Sequence, residues 1–590
     1  MKNTNTAQIT SLTSRQNLSP LSATSCKYGS GRFEISETGV HYLCKDKEGN
    51  EQPPKWICSL LHITAMTRDE KNGEWGRLLE WHDDDGKKHQ WAMPLEMLEG
   101  DGSEVRRELA RLGMRIAPNQ IERGLLLAYI KVWPVEARAR CVERLGWYGN
   151  IYVTPFGQIG GDGEITVFQN TQAIEPAFSE SGTADEWRNS VAILATGNSR
   201  LVFAISTAFA GPLADITRDD SGGFHFRGAS STGKSTALKL AASVWGNPST
   251  YVRLWRSTVN GLEGLATLHN DGLLILDEIS QIDPSAAGDA AYLLANGQGK
   301  ARATRKGIAR PPQRWRLLFL SAGEESLSAI MVRAGKQTSA GQEIRLADIE
   351  ADAGARMGIF EELHNHANAS SLASAIKDAI AKFHGTIGYE WLKIMAEIRV
   401  ELADYINNAI NKFVAEIIPA GAAGQVVRVA RRFALVAAAG ELATSYGLTG
   451  WPEGEATQAA RKCFAAWLEA FGGSGNREER IILDQTRAFF ETHGASKFEY
   501  LKATDDQRIH NRAGFFRSNE NGDHEYLVLP EAFRREICQG YDVKTVKNTL
   551  KKAGMLLPAK DGKPTQNIRL PGLGSPRVYV MRYIGQDNEA

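Results

Sequence analysis

The chain of 590 residues is poor in the features that staple or anchor a protein. Its six cysteines (Cys26, Cys44, Cys58, Cys141, Cys463 and Cys538) are scattered, with no C-x-x-C pair. That pattern argues against a zinc site and a disulfide framework, and fits a reduced, cytoplasmic setting. No apolar run approaches the roughly 18 residues that a bilayer span needs, so no membrane association is expected. Net charge is also lacking: 69 basic residues balance 69 acidic ones, which excludes bulk charge as a means of holding a polyanion. The opening stretch, MKNTNTAQITSLTSRQNLSPLSATS, has no apolar core of the secretory kind and reads as a disordered lead-in over residues 1–27.

What is present points to several domains, since one core rarely organises more than roughly 150 to 250 residues. Residues 28–185 alternate apolar and polar in short runs broken by Gly, Asp and Asn, as in GRFEISETGVHYLC and GNIYVTPFGQIG, with one helical patch at GSEVRRELARLGMRI. They read as an α+β N-terminal domain. Residues 186–366 alternate helical periodicity with short apolar runs (GGFHFRG, GLLILDE, WRLLFLSAG), the order of an α/β core with strands covered on both faces. Residues 367–473 are rich in alanine and read as a helical lid. Beyond the link GGSGN, residues 474–590 read as a basic, winged-helix-like domain of helices and a hairpin.

One stretch carries specific chemistry. Gly228-Ala229-Ser230-Ser231-Thr232-Gly233-Lys234-Ser235 fits G-x-x-x-x-G-K-[ST], between an apolar strand and a helical pattern that opens with Thr236. In such a loop the backbone N–H groups converge on phosphate oxygens at the positive end of a helix, so the expected ligand is a nucleoside triphosphate. Gly228, Ser231, Thr232, Gly233, Lys234, Ser235 and Thr236 would form the cradle. Lys234 would neutralise the terminal phosphates, and Ser235 would ligate Mg²⁺. Then, 43 residues after Lys234, LLILDE delivers Asp277 and Glu278 to a strand end, where ligands of open α/β sheets collect. Asp277 would hold the Mg²⁺, and Glu278 would polarise an attacking water. This acid pair favours hydrolysis over transfer to a second substrate.

Other residues are candidates by position. Ser321, at the end of the following strand, reads either as a sensor of the γ-phosphate or as part of a plain turn. Arg345 reads as a solvated loop arginine or, in a ring of identical subunits, as the group that reaches a neighbour's γ-phosphate. Arg428, Arg431 and Arg432 share a helical stretch; Arg431 is the candidate second sensor. Between Ala290 and Gly323 there are seven basic residues and no acid. Among them Lys300, Arg302, Arg305 and Lys306 would sit on a hairpin that touches DNA phosphates without reading sequence.

Together GGFHFRGASSTGKSTALKLAASVWGNP, WRSTVNGLEGLATLHNDGLLILDE, NGQGKARA, WRLLFLSAGEESL, AGQEIRLADI and VARRFALVAAAGELATSYGLTGWPEGEA resemble AAA+ ATPases. More closely, they resemble a family of mobile-element and prophage proteins, catalogued as a domain of unknown function and related to the minichromosome-maintenance ring helicases. The resemblance covers roughly residues 190–471. It implies a hexameric, ATP- and Mg²⁺-dependent DNA helicase acting on single-stranded or forked DNA in replication of a mobile element, with possible replication partners. It also implies that Arg345 acts in trans and that Lys300 to Arg310 form the basic hairpin, while Ser321 departs from the commoner asparagine. Two rival readings are a DNA-stimulated ATPase that remodels or loads a partner without unwinding, and a nucleotide-gated DNA-binding scaffold for origin recognition or phage defence.

Overall fold

The computed structural model describes residues 24–161, 163–169, 176–217, 221–303, 309–310, 312–336, 340–502, 509–519 and 524–584. The chain divides into two compact units, one of residues 1–176 with 392–397 and the other of residues 177–391 with 398–590.

In the first unit, alternating sequence becomes antiparallel sheet. Four strands (Ser25–Tyr28, Gly31–Ser36, Gly39–Cys44, Lys55–Cys58) pair in chain order. A five-stranded sheet is built around Leu61–Arg68, whose residues alternate between buried and half-buried as a one-sided strand should. Phe33, Ile57, Trp81, Tyr129 and Trp133 share the core, which the helix Gln120–Val132 closes.

The second unit is organised by a five-stranded parallel sheet: β1 (Gly222–Arg227), β2 (Arg253–Leu254), β3 (Gly272–Asp277), β4 (Leu317–Gly323) and β5 (Leu346–Glu350), in the spatial order β2-β3-β4-β1-β5. The central strands β3 and β4 are buried almost along their whole length, as sheets covered on both faces require. The helices that matter for the site are α1 (Ser199–Ala210), α2 (Lys234–Ala242), α3 (Val259–Leu268), α4 (Ala287–Asn296), α5 (Gly424–Ser445) and α6 (Glu455–Phe471).

One face of the sheet is sealed by aromatic edges. Phe224 of β1 meets Phe203 of α1 and Phe433 of α5, with ring centroids 4.8 and 4.9 Å apart, and Phe433 in turn meets Phe464 of α6. Edge-to-face pairs of this kind contribute about 0.5–1.5 kcal/mol each beyond the area they bury. Thus, of the helices expected as a lid over 367–473, α5 and α6 lie against the sheet itself as part of its covering layer. The last segment contains α7 (Arg477–His493) and α8 (Val543–Lys552), which pack on a mixed sheet around Phe490, Phe533, Val546 and Leu550. Among the described residues, no helix is long and apolar enough to cross a membrane.

Candidate active site

The strand β1 ends at Arg227, the glycine loop follows, and α2 begins at Lys234 with Gly233 as its cap residue in the left-handed region (φ 96°). A side chain at Gly233 would be strained in that conformation, and its Cβ would stand 2.5 Å from Cγ2 of Ile359, so glycine is required there. Ser231 also has positive φ (64°). The loop is tied at both shoulders: Gly228 N–H donates to the Gly323 carbonyl (3.2 Å), and Ile359 N–H donates to the Thr232 carbonyl (2.8 Å). Thr232 Oγ1 donates to the Ala229 carbonyl (2.9 Å) and Thr236 N–H to the Gly233 carbonyl (2.9 Å).

Lys234 is buried, and its ammonium donates to the carbonyls of Gly228 (2.8 Å) and Ala229 (2.6 Å). The loop therefore wraps its own cation, and an anion entering the cradle would exchange those carbonyls for phosphate oxygens. Ser235, one residue on, is exposed and donates through Oγ to Asp277 Oδ2 at 2.9 Å. That contact spans the strand β4, which lies between β1 and β3, so the loop and the acidic strand end face each other across a gap of about 9–10 Å.

Asp277 Oδ1 accepts the Glu278 N–H (2.9 Å). Glu278 has φ 57°, a strained backbone for a non-glycine residue, and Ser280 Oγ donates to its Oε1 at 2.5 Å. This strained backbone is held beside the contact between Asp277 and the glycine loop. Among the described residues, no group of three or more His, Cys, Asp or Glu side chains is arranged to hold a metal ion. Magnesium needs fewer protein ligands, since it is held by one or two hard oxygens and completes its shell with phosphates and water. The Ser235 hydroxyl and the Asp277 carboxylate fit that requirement.

Ser321 is placed differently from its expected role. It is fully buried in β4, and its hydroxyl accepts the Trp255 indole N–H (2.8 Å) and lies 3.0 Å from His225 Nδ1. Because the Glu325 carbonyl can only accept, Nε2 of the neutral ring carries the proton and donates to it (3.0 Å), so Nδ1 accepts from the Ser321 hydroxyl. The hydroxyl is thus spent inside the protein, holding the β4 strand end to β1. A cavity of about 450 Å³ opens beside His225, and there Arg227 pairs with Asp348 (3.0 Å) and Glu350 (2.6 Å).

Burial pushes the His225 imidazole down to about 4, and that of His269 likewise. Both rings are neutral when folded, whereas an unfolded chain protonates them near 6.5. Stability they contribute is therefore intact above pH 6.5 and is lost as pH falls from there toward 4, by roughly 3 kcal/mol per ring. Thermal melts of His225→Gln should show a smaller loss of melting temperature between pH 7 and pH 5 than the parent chain. An equal loss would mean that His225 is not part of the acid response.

Arg345 immediately precedes β5, at the sheet edge opposite the glycine loop. Its guanidinium lies over the Tyr292 ring (4.2 Å to the centroid), Nε donates to Asn296 Oδ1 (3.2 Å), and Nη1 donates to the Gly341 carbonyl (2.7 Å). Tyr292 and Asn296, four apart on α4, form a cradle that sequence reading missed; their spacing on one helix face was the only available signal. Arg431 is half-buried on α5, and the neighbouring Arg432 donates to the Ile344 carbonyl (3.1 Å), near the same edge.

The basic segment forms a hairpin whose backbone pairs Arg302 with Arg310 and Ala303 with Ala309. Gly299 N–H donates to the Gln313 carbonyl and Trp315 N–H to that of Gly297. Lys300 is exposed at the root, where its N–H donates to the buried carboxylate of Glu263 on α3 (3.1 Å). Arg305 and Lys306 lie outside the described residues.

Together these elements define the class: a mixed α/β protein whose parallel sheet carries a glycine loop and an acidic strand end in contact. Residues 33–314 match the model of a domain of unknown function, DUF927. That match takes in most of the first unit, well upstream of the motifs that carry the sequence resemblance, and ends before β4. No curated protein matches the chain. A solved structure described as an active helicase, Cch of SCCmec type IV, aligns over 94% of this chain and 98% of its own at 19% identity and a TM-score of 0.69, so the fold is shared. The A form apo structure of the NrS-1 C terminal region aligns over 88% of this chain and 96% of its own at 9% identity, with a TM-score of 0.31, too low for a shared fold to be read from it.

Proposed function

We propose that the chain is an ATP-driven DNA helicase of the AAA+ kind, working as a ring of identical subunits, most simply a hexamer, in replication of a mobile genetic element. The observation that carries this reading is the 2.9 Å contact between Ser235 and Asp277, with Glu278 on the adjoining peptide. It brings a hydroxyl at the mouth of the phosphate cradle against the acid pair, the arrangement that metal-assisted attack of water on a terminal phosphate needs. Further support comes from the basic hairpin between α4 and β4, from the parallel sheet, and from the fold shared with a protein described as an active helicase.

In this reading the amides of residues 228–236 and the Lys234 ammonium bind the triphosphate. Ser235 and Asp277 hold Mg²⁺, which would draw charge from the phosphate oxygens. Glu278 accepts a proton from the attacking water, and a neighbour's Arg345 meets the charge that develops on the γ-phosphate. Lys300, Arg302, Arg305 and Lys306 contact the backbone of single-stranded or forked DNA, and turnover moves them along it.

The test is ATP turnover by the purified full chain with and without single-stranded DNA, run beside strand displacement on a fork. Lys234→Ala should bind ATP about 100-fold more weakly, the equivalent of ~3 kcal/mol for a lost charge-assisted contact, and should displace no strand. Calorimetric titration that finds the same affinity in parent and variant would take the nucleotide away from this loop. ATP turnover stimulated by DNA without strand displacement would replace unwinding with remodelling or loading.

A further inference from the structure

The C-terminal segment presents a second surface with nucleic-acid chemistry. A short helical stretch over Pro530–Ile537 is followed by a turn and then by α8, so the two helices meet as in a helix-turn-helix. The side chain of Asp542 caps α8 by accepting the N–H groups of Lys544 (2.9 Å) and Thr545 (3.1 Å). One face of α8 (Val546, Thr549, Leu550) is buried, and Val546 and Leu550 join Phe533 and Ile537 in the core.

The opposite face carries Lys544, Lys547, Asn548 and Lys551, at the i, i+3, i+4, i+7 spacing of a single helix side. All but Lys547, which is half-buried, are exposed. After α8 the chain pairs Leu556–Leu557 with Arg577–Arg582 and makes a wing between them, carrying exposed Lys560, Arg569 and Arg577.

From Val543 to Gly585 there are nine basic residues and one acid, Asp561, which pairs with Lys563 (2.7 Å). Lys552 is likewise committed, to Glu479 (2.9 Å). Among the described residues, Lys544, Lys547, Lys551, Lys560, Arg569 and Arg577 have no carboxylate partner. Six cations with no carboxylate partner among the described residues, carried by one helix and the wing that follows it, favour an external polyanion.

We infer that this surface is a docking site for duplex DNA, with α8 in the major groove and the wing along the flanking backbone. Three observations favour a duplex over a single strand or an acidic protein. A helix that follows a turn and leaves one face exposed fits a groove about 12 Å wide. Lys544 and Lys551 are separated by about 10 Å along the axis, enough to engage phosphates on both walls. The exposed face of α8 carries no aromatic residue on which unpaired bases could stack, while Thr545 and Asn548 near its start offer groups that hydrogen-bond base edges. The inference does not depend on the motor reading, since it concerns binding without nucleotide.

The experiment is fluorescence anisotropy of the full chain, without ATP, on a short blunt-ended duplex and on a single strand of the same length, over a series of salt concentrations. Lys544→Glu combined with Lys551→Glu should weaken duplex binding by about tenfold or more and make the slope of log affinity against log salt shallower by about two. Single-strand affinity and basal ATP turnover should be unchanged. Lys544→Arg combined with Lys551→Arg should retain duplex binding, which separates charge from damage to the fold.

Unchanged duplex affinity and salt slope in the glutamate variant would overturn the inference. An equal loss on both DNAs would overturn the duplex assignment by placing α8 on the single-strand path. Parent chain that binds neither DNA through this face but loses an acidic protein partner in the glutamate variant would assign the surface to that partner instead.

Discussion

Arg345→Ala is expected to lower the rate of ATP hydrolysis by about 10³-fold or more while leaving ATP affinity within a few-fold of the parent. The reason is geometric. Leu346, next to Arg345, pairs with Gly223 at the start of β1, whereas Glu350 pairs with Arg227 just before the glycine loop. Five strand steps, about 16–17 Å, therefore separate Arg345 from the root of its own loop, and the side chain is directed to Tyr292 and Asn296.

In the ring proposed above, an arginine so placed would serve catalysis only across a subunit boundary. Mixing Arg345→Ala chains with Lys234→Ala chains should then restore a fraction of the turnover, because some interfaces pair an intact loop with an intact arginine. Full turnover in Arg345→Ala alone, or no recovery on mixing despite assembly of mixed rings, would remove Arg345 from the site.

Glu278→Gln is the second large effect: turnover should fall by about 10²- to 10⁴-fold, the range for a missing general base, with ATP still bound. Glutamine keeps the size of the side chain and its contact with Ser280 but cannot take a proton. Its strained backbone should be retained, since φ 57° is set by the turn between β3 and the short helix over Ile279–Gln281. Filter binding and single-turnover hydrolysis measure the two quantities separately. If the variant hydrolysed ATP at the parent rate, another group would have to activate the water. If DNA transactions continued at the parent level while hydrolysis was lost, the scaffold reading would gain and the motor reading would fall.

The strands β1, β3 and β4 were readable as GGFHFRG, GLLILDE and WRLLFLSAG because each is a short apolar run bounded by turn residues. The edge strands were not. β2 is only Arg253–Leu254, too short for any periodicity. β5 contains Asp348 and Glu350, whose charges interrupt the apolar run that marks a covered strand; Arg227 on the adjacent strand pairs with both. Ser321 shows the converse limit: its position at a strand end was legible, but the direction of its hydroxyl depended on Trp255 and His225, 66 and 96 residues away.

By itself the sequence determined the local chemistry: a loop whose glycines allow a backbone cradle around Lys234, an acidic pair at the end of an apolar strand, and a basic hairpin between two core elements. These features are short-range, so spacing alone encodes them. Tertiary structure alone decided which groups meet. It set Ser235 against Asp277 across an intervening strand, put Arg345 at the far edge of the sheet, turned Ser321 inward and folded α5 and α6 onto the sheet. Strand order and side-chain direction follow from burying apolar surface and satisfying buried polar groups between residues far apart in the chain, which no local pattern specifies.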